Sequence, residues 1–91
     1  MKQLIIMWDN NSSPMSVEKL GPLCTTYASG KTPCFYVNGE HSSTVCVYQG
    51  DSNRTYEFDG VVYDPKSTSD FMSLYSALEF YLLEVSLCGV L

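Results

Sequence analysis

The stretch that decides the fold is Thr-Tyr-Glu-Phe-Asp-Gly-Val-Val-Tyr-Asp, at residues 55–64. Its centre, Asp59-Gly60, is a dipeptide that favours the two-residue type I′ turn of a β-hairpin. Such a turn pairs the flanking residues so that four large apolar side chains share one face: Tyr56, Phe58, Val61 and Tyr63. Glu57 and Val62 fall on the opposite face. The stretch therefore predicts two antiparallel strands with one face suited to a core.

A helix is predicted directly after this hairpin. Ser67, followed three residues later by the acidic Asp70, is typical of a capping box at a helix start. Apolar residues then recur at the spacing of one helical face: Phe71, Leu74, Tyr75, Leu78, Leu82 and Val85. We expect this stripe to pack on the sheet. A second stripe, formed by Phe80, Leu83 and Leu87, lies to the side, where a single sheet cannot easily cover it as well.

Further strands are predicted upstream of the hairpin, at residues 3–8, 34–37 and 44–49. The first is apolar on both faces, which favours a central position in the sheet. The other two are joined through Asn38-Gly39, and two registers are open. A tight turn would oppose apolar and polar residues, whereas a loop over residues 38–43 brings together Phe35, Val37, Val45 and Val47. We favour the longer loop because it pairs like with like.

The segment after the first strand contains turn and helix signals. Residues 9–14, Asp-Asn-Asn-Ser-Ser-Pro, are typical of a turn, and Ser16 is placed to cap a short helix near residues 16–28. A length of 91 residues indicates one domain, residues 1–91. We therefore predict an α+β fold: a small antiparallel sheet of four to five strands with a long C-terminal helix packed on one face.

The charge is concentrated near the C-terminus. The formal net charge is −5; residues 1–54 are balanced by four acidic and four basic residues, and residues 55–91 contain six acidic residues and only Lys66. Without clustered Lys and Arg we expect no direct binding of nucleic acid. The acidic block favours a protein partner with a basic or mixed surface, although a solvated surface explains it equally simply.

The sequence contains few residues that could act as a catalytic nucleophile, base or metal ligand. His41 is the only histidine, and it lies in a polar Glu-His-Ser-Ser segment typical of solvent exposure. In the tight hairpin register Cys34 would lie opposite Ser43 and close to His41, and Cys46 is the other thiol on a neighbouring strand. The cysteine spacings match no metal-ligand motif. We predict no enzyme activity, no cofactor and no metal site, and keep a small Cys/His thiol enzyme as a remote alternative.

The apolar segments near the two ends of the chain indicate whether the protein is secreted or inserted in a membrane. The first apolar run, residues 4–8, is shorter than the roughly 7–15 residues of a signal-peptide core, so we expect a reducing, cytoplasmic setting, including that of a host cell. Residues 71–91 are apolar but include Glu79 and Glu84, and each acid costs about 2.5–3.5 kcal/mol near the middle of a membrane span. An amphipathic helix is therefore predicted there, with no membrane partner.

The abundance of tyrosine, seven residues, indicates a binding surface. We expect Tyr56, Tyr63 and Tyr75 in the core and Tyr81, beside the second stripe, at an interface. The sequence thus predicts a non-enzymatic protein-binding module, in the manner of a phage- or virus-type inhibitor or adaptor that occupies a functional, for example nucleic-acid-binding, surface of a host protein. The predicted partner-binding residues are Glu57, Asp59, Asp64, Phe80, Tyr81, Leu83, Glu84 and Leu87. The alternative is an assembly subunit that forms a homodimer through its C-terminal helix.

Overall fold

The computed structural model describes residues 2–23 and 32–90, with side chains as far as residue 83. The elements follow one another along the chain as β1 (Gln3–Trp8), β2 (Asn11–Leu20), β3 (Cys34–Gly39), a 3₁₀ turn (Glu40–Ser42), β4 (Thr44–Tyr48), β5 (Thr55–Phe58), β6 (Val61–Tyr63) and α1 (Thr68–Val90).

The described strands form one antiparallel sheet in the order β4-β3-β2-β1-β5-β6, and α1 packs on one of its faces. The fold is α+β, as the sequence predicts. The central position of β1 is also confirmed, because β2 and β5 flank it. The sheet has six strands rather than four to five, and the additional strand is β2.

The helix predicted from Ser16 is wrong, and the turn predicted at residues 9–14 is present but shorter. The turn is only two residues long, Asp9-Asn10, and β2 then runs through Ser16 beside β1. Met15 and Val17 point into the core at a spacing of two, which is the period of a strand. Pro14 is tolerated because β3 pairs only with the later part of β2, so that β2 has a neighbour on one side only at Pro14. The later part of the predicted helix, residues 24–28, lies outside the described residues.

The register of the β3–β4 hairpin follows the longer loop. Phe35 pairs with Val47 and Val37 with Val45, as the matching of apolar residues predicts. The 3₁₀ turn supplies the extra length between the strands, and Gly39 donates a backbone hydrogen bond to Ser43 at 2.8 Å to close the loop. Cross-strand packing thus decides a register that the Asn-Gly signal alone would have placed elsewhere.

The β5–β6 hairpin has the predicted turn and register. Asp59 and Gly60 have φ values of 55° and 82°, the left-handed conformation that a type I′ turn requires at both central positions. The paired residues are Tyr56 with Tyr63, Glu57 with Val62 and Phe58 with Val61. The face that carries Tyr56 and Phe58 is buried beneath α1, so this local turn orients two large core residues.

The first turn of α1 is capped as predicted. Ser67 Oγ accepts the backbone N–H of Asp70 at 3.3 Å. The Asp70 carboxylate accepts the backbone N–H of Asp64 at 2.9 Å, so it ties the helix start to the end of β6 instead of completing a capping box. The helix then packs this stripe on the core, with no exposure of Phe71, Leu74 and Leu78 and partial burial of Tyr75 and Leu82. Tyr56 is buried and Tyr63 and Tyr75 are partly buried against the same core, as expected.

Candidate protein-binding surface

The side of α1 opposite the core carries large apolar side chains that the described chain leaves uncovered. Met72 is 44%, Phe80 65% and Leu83 57% exposed, and we call these three residues the outer face. Phe80 and Leu83 are three residues apart and therefore adjacent on the helix surface. Met72 extends the same face toward the helix start, about 12 Å along the axis from Phe80. Exposed apolar patches of this kind mark interaction sites in many proteins.

A shallow cleft joins the outer face to the tip of the β5–β6 hairpin. Phe80 and Asp59 both line this cleft, which has a volume of about 260 Å³. Asp59 is exposed at the hairpin tip and forms an ion pair with Lys2 at 3.2 Å. Because both partners of the pair are solvated, it contributes at most about 1 kcal/mol to stability. The cleft therefore brings together three residues of the predicted surface, Asp59, Phe80 and Tyr81.

A second groove lies on the other flank of the helix, between α1 and the end of β2. Its volume is about 480 Å³, and its lining includes Leu83 and Leu20 together with the charged residues Glu18, Lys19 and Glu79. Glu79 is exposed, so an acidic group borders the outer face on this side as well. The helix sequence contains Asp70, Glu79 and Glu84 and no basic residue. The outer face is thus apolar, and its border carries the acidic Asp59 and Glu79 beside the lysines Lys2 and Lys19.

The predicted acidic residues of the hairpin do not form one cluster. Glu57 pairs with Val62 on the face of the sheet that points away from α1, because its neighbours Tyr56 and Phe58 face the helix. Asp64 lies beyond β6, where it accepts the backbone N–H of Lys66 at 3.0 Å and approaches the Lys66 ammonium at 3.7 Å. Of the three hairpin acids, only Asp59 shares a cleft with the outer face.

Tyr81, expected at an interface, is largely buried in the core and also lines the cleft beside Phe80. The side chain is 8% exposed and packs edge-on against Phe58 at a centroid distance of 5.7 Å. Its hydroxyl oxygen accepts the backbone N–H of Lys2 at 3.1 Å. One residue along a helix turns the side chain by about 100°, which carries Tyr81 from the exposed side of Phe80 onto β5. The sequence could not indicate this, because it does not show how far the sheet extends beneath the helix.

The remaining predicted residues, Glu84 and Leu87, belong to α1, but their side chains lie outside the described part of the chain. Three exposed apolar residues of α1 and β6 are absent from the sequence prediction. Met72 could have been found by continuing the second stripe back from Phe80 by eight positions. Val61 and Val62 are 50% and 57% exposed because β6 is a short edge strand, and no local signal identifies an edge.

The geometry required for a Cys–His pair is not formed. Cys34 pairs with Tyr48 in the sheet, not with Ser43, because the longer loop sets the register. The His41 side chain is 92% exposed, and Cys46 is a free thiol that lines a different cleft. Within residues 2–23 and 32–83, His, Cys, Asp and Glu side chains nowhere gather in a group of three that could hold a metal ion. Over the described residues, α1 is not apolar enough along its length to cross a membrane.

No group of the described structure meets the geometry of a hydrogen bond to the buried Tyr56 hydroxyl, although Arg54 lies close enough to interact with it. Burial, with a contribution from the Asp51 carboxylate, raises the pKa of Tyr56 to about 12, and Arg54 opposes this shift. The Tyr56 side chain has no exposed surface and belongs to the core cluster. We therefore assign it to the energetics of the core and not to a binding site.

Comparison with known proteins gives no indication of the function. No protein-family model, curated protein or solved structure matches the chain.

Proposed function

We propose that the protein is a non-enzymatic protein-binding module that docks through the outer face of α1. The observation that carries this proposal is the contrast between the two sides of one helix. Phe71, Leu74 and Leu78 have no exposed surface, whereas Phe80 and Leu83 are more than half exposed. A helix that is apolar on both sides needs a second surface to cover it, and a partner protein supplies one.

The border of the outer face defines the chemistry of the partner. Asp59 shares a cleft with Phe80, and Glu79 shares a groove with Leu83; Lys2 and Lys19 line the same two clefts, so the border is of mixed charge. A complementary surface would present an apolar pocket for Phe80 and Leu83 with Lys or Arg side chains at its edge. Occupation of such a basic surface fits the role of an inhibitor or adaptor, including one that blocks a nucleic-acid-binding site. We place this role in a reducing, cytoplasmic compartment, as the sequence predicts.

The alternative, self-assembly through α1, is less well supported. Two copies of an acidic helix without basic residues would bring carboxylates together around the apolar contact, and like charges across an interface oppose association. Light scattering after size-exclusion chromatography distinguishes these roles. Leu83→Glu should leave the measured mass unchanged if α1 binds another protein, and should halve it if α1 forms a homodimer.

The proposal is tested by site-specific photo-crosslinking in cells followed by binding measurements. A photoreactive amino acid at Leu83 should trap a partner, and the same label at Val62 is the matched control. Both positions are 57% exposed, but Val62 lies on the opposite side of the sheet from α1. The trapped protein, once purified, should bind Phe80→Glu and Leu83→Glu at least about tenfold more weakly than the native chain. Val62→Glu should bind with unchanged affinity.

The acidic residues Asp59 and Glu79 at the border predict that the affinity for the partner depends on salt concentration. Affinity should fall as ionic strength rises, and replacing Glu79 with Gln and Asp59 with Asn should make that dependence shallower. Equal crosslinking at Leu83 and Val62, or binding that Phe80→Glu leaves intact, would contradict the proposed surface.

A further inference from the structure

A polar groove lies at the end of the sheet opposite the β5–β6 hairpin tip. It consists of two adjoining cavities, of about 680 Å³ and about 210 Å³, which share Asn53 and Arg54 in their walls. Arg54 directly precedes β5 and Trp8 ends β1, whereas Lys2 and Asp59 lie at the other ends of the same two strands. The groove is therefore separate from the cleft beside the outer face.

The central wall of the groove is a loop that hydrogen bonds hold in place. This loop, residues 49–54, joins β4 to β5, and the Gly50 N–H donates to the Pro65 carbonyl oxygen at 2.7 Å. Within the loop, Oδ1 of Asp51 accepts the backbone N–H of Asn53 at 2.9 Å. The side chains of Asp51, Asn53 and Arg54 therefore extend from a backbone that is ordered before any ligand arrives, which lowers the entropic cost of binding.

The polar groups of this loop are complementary to hydroxyl groups. Arg54 is the only arginine of the chain, and neither Arg54 nor Asp51 belongs to an ion pair among the described residues. A guanidinium only donates hydrogen bonds, and a carboxylate only accepts them. A hydroxyl group does both, so a ligand with several neighbouring hydroxyls satisfies Arg54 and Asp51 together. The side-chain amides of Gln49 and Asn53, which also line the groove, add donors and acceptors.

An aromatic ring stands beside these polar groups. Trp8, the only tryptophan, packs partly against the core and lines the smaller cavity together with Arg54. The face of an indole ring is electron-rich, so it attracts the weakly positive C–H bonds on one face of a sugar ring. At the other end of the groove, the larger cavity is lined by Tyr48. An aromatic face next to planar polar side chains suits a ligand that is apolar on one side and hydroxylated at its edge.

The charges of the groove oppose other classes of ligand. Its lining contains three carboxylates, Asp9, Asp51 and Asp64, against two cations, Arg54 and Lys66. This excess of negative charge disfavours a phosphate or sulfate ester. A wholly apolar ligand would strip water from the charged groups without replacing its hydrogen bonds. A neutral ligand rich in hydroxyl groups avoids both costs.

We propose that this groove binds a neutral carbohydrate, with one sugar ring stacked on Trp8 and hydroxyl groups bound by Arg54, Asp51 and Asn53. The site does not depend on the surface proposed for partner binding, because the two lie at opposite ends of β1 and β5. Both can be occupied at once, so the protein would join its partner to a carbohydrate.

The test is a titration of the native chain followed by two-dimensional nitrogen–proton NMR spectra, in which Trp8 gives a single indole N–H signal. The probes are neutral tetrasaccharides of glucose, N-acetylglucosamine, mannose, galactose and xylose, each added up to about 10 mM. At least one should shift the Trp8 indole signal and the amides of residues 49–54, while the amides of Phe80 and Leu83 stay unchanged. The affinity should be the same at low and high ionic strength, because a neutral ligand has no charge to screen.

Variants of the groove assign the binding to these side chains. Arg54→Met keeps the length of the side chain and removes its donors, so it should weaken binding at least about tenfold. Asn53→Ala, which keeps the backbone N–H bonded to Asp51, should weaken binding as well. Lys19→Met is the matched control, because Lys19 is exposed on β2 and does not line the groove, and it should bind with unchanged affinity. Urea unfolding verifies that each variant is folded.

Three results would overturn the proposal. The first is that none of the five probes shifts the Trp8 indole signal. The second is that Arg54→Met and Asn53→Ala bind as tightly as Lys19→Met. The third is a stronger response to a sulfated tetrasaccharide than to the neutral ones, because the groove would then select an anion.

Discussion

The backbone amide of Lys2 donates a hydrogen bond to the phenolic oxygen of Tyr81, 79 residues later in the chain, at 3.1 Å. The same lysine places its ammonium 5.4 Å from the centroid of the Tyr81 ring and pairs with Asp59 at the hairpin tip. One residue next to the N-terminus thus links the start of β1, the β5–β6 turn and the second half of α1. Because Tyr81 connects these three elements, its substitution should lower the free energy of unfolding of the whole domain.

Tyr81→Phe should lower the free energy of unfolding by about 0.5–1.5 kcal/mol, since it removes one partly buried hydrogen bond and keeps the ring. Urea unfolding followed by circular dichroism measures this as a lower midpoint with an unchanged slope. Tyr75→Phe is the matched control, because the Tyr75 ring packs on Phe35 at 5.1 Å while its hydroxyl bonds to no group in the described part of the chain. Equal losses in the two variants would show that the bond to Lys2 contributes nothing.

The parts of the fold that could be predicted are those whose signals are local. Asp59-Gly60 determines both the turn type and the face of every residue in its hairpin, and Ser67 marks the start of α1 at short range. β2 could not be predicted in this way. Residues 9–14 have turn propensity throughout, and their extended conformation arises from pairing with β1 and from the core contacts of Met15, which the local composition does not reveal.

The same distinction between local signals and tertiary packing applies to the candidate surface. The exposure of Phe80 and Leu83 follows from counting helical stripes, because one sheet covers one face. The burial of Tyr81 and the separation of Glu57 from Asp59 depend on where β5 lies beneath the helix and on which face of the sheet is covered. Those relationships are set by tertiary packing, so the sequence indicated Phe80, Leu83 and Asp59 but could not show that Glu57 and Asp64 lie apart from them.

Tyr56 should make the protein sensitive to alkaline pH. Its pKa is raised from 10.0 to about 12, so the folded state holds the phenolic proton more tightly than the unfolded state. The corresponding stabilisation is complete below pH 10 and is lost as the pH rises toward about 12. Urea unfolding at a series of pH values should show a decline over this interval that is smaller in Tyr56→Phe. Tyr75→Phe controls for the number of tyrosines, and an identical decline in Tyr56→Phe would contradict the assignment.

The same substitution should be stabilising at neutral pH. No described group meets the geometry of a hydrogen bond to the buried Tyr56 hydroxyl, and an unsatisfied group of this kind costs about 1–3 kcal/mol. Tyr56→Phe keeps the ring in the core and removes that group, so the midpoint of urea unfolding at neutral pH should rise. A lower midpoint would mean that the hydroxyl has a partner that matters for stability.

Glycine is required at position 39, where β3 lies close against Met15 and Ser16 of β2. A Cβ atom at this position would overlap the backbone carbonyl oxygen of Ser16 and lie 2.6 Å from Cγ of Met15. Its φ of −137° is allowed for any residue, so the constraint is steric and not conformational. Gly39→Ala should therefore lower the free energy of unfolding by about 1–3 kcal/mol, as overpacking does in other cores. Gly21→Ala, whose nearest contact would be 3.1 Å from Cβ of Tyr36, should cost less, and the reverse order would refute this argument.

The Ser67 cap at the start of α1 should contribute to the stability of the fold. Ser67 Oγ accepts the Asp70 amide, which would otherwise lack a partner in the first turn of the helix, and the helix carries the stripe that closes the core. Ser67→Ala should therefore lower the free energy of unfolding by about 1 kcal/mol. Ser69→Ala is the control, because Ser69 is exposed in the same turn, and it should change stability by less than about 0.5 kcal/mol. Urea unfolding of both variants decides the matter: equal effects would mean that the tie between Asp70 and Asp64, rather than the serine cap, holds the start of the helix.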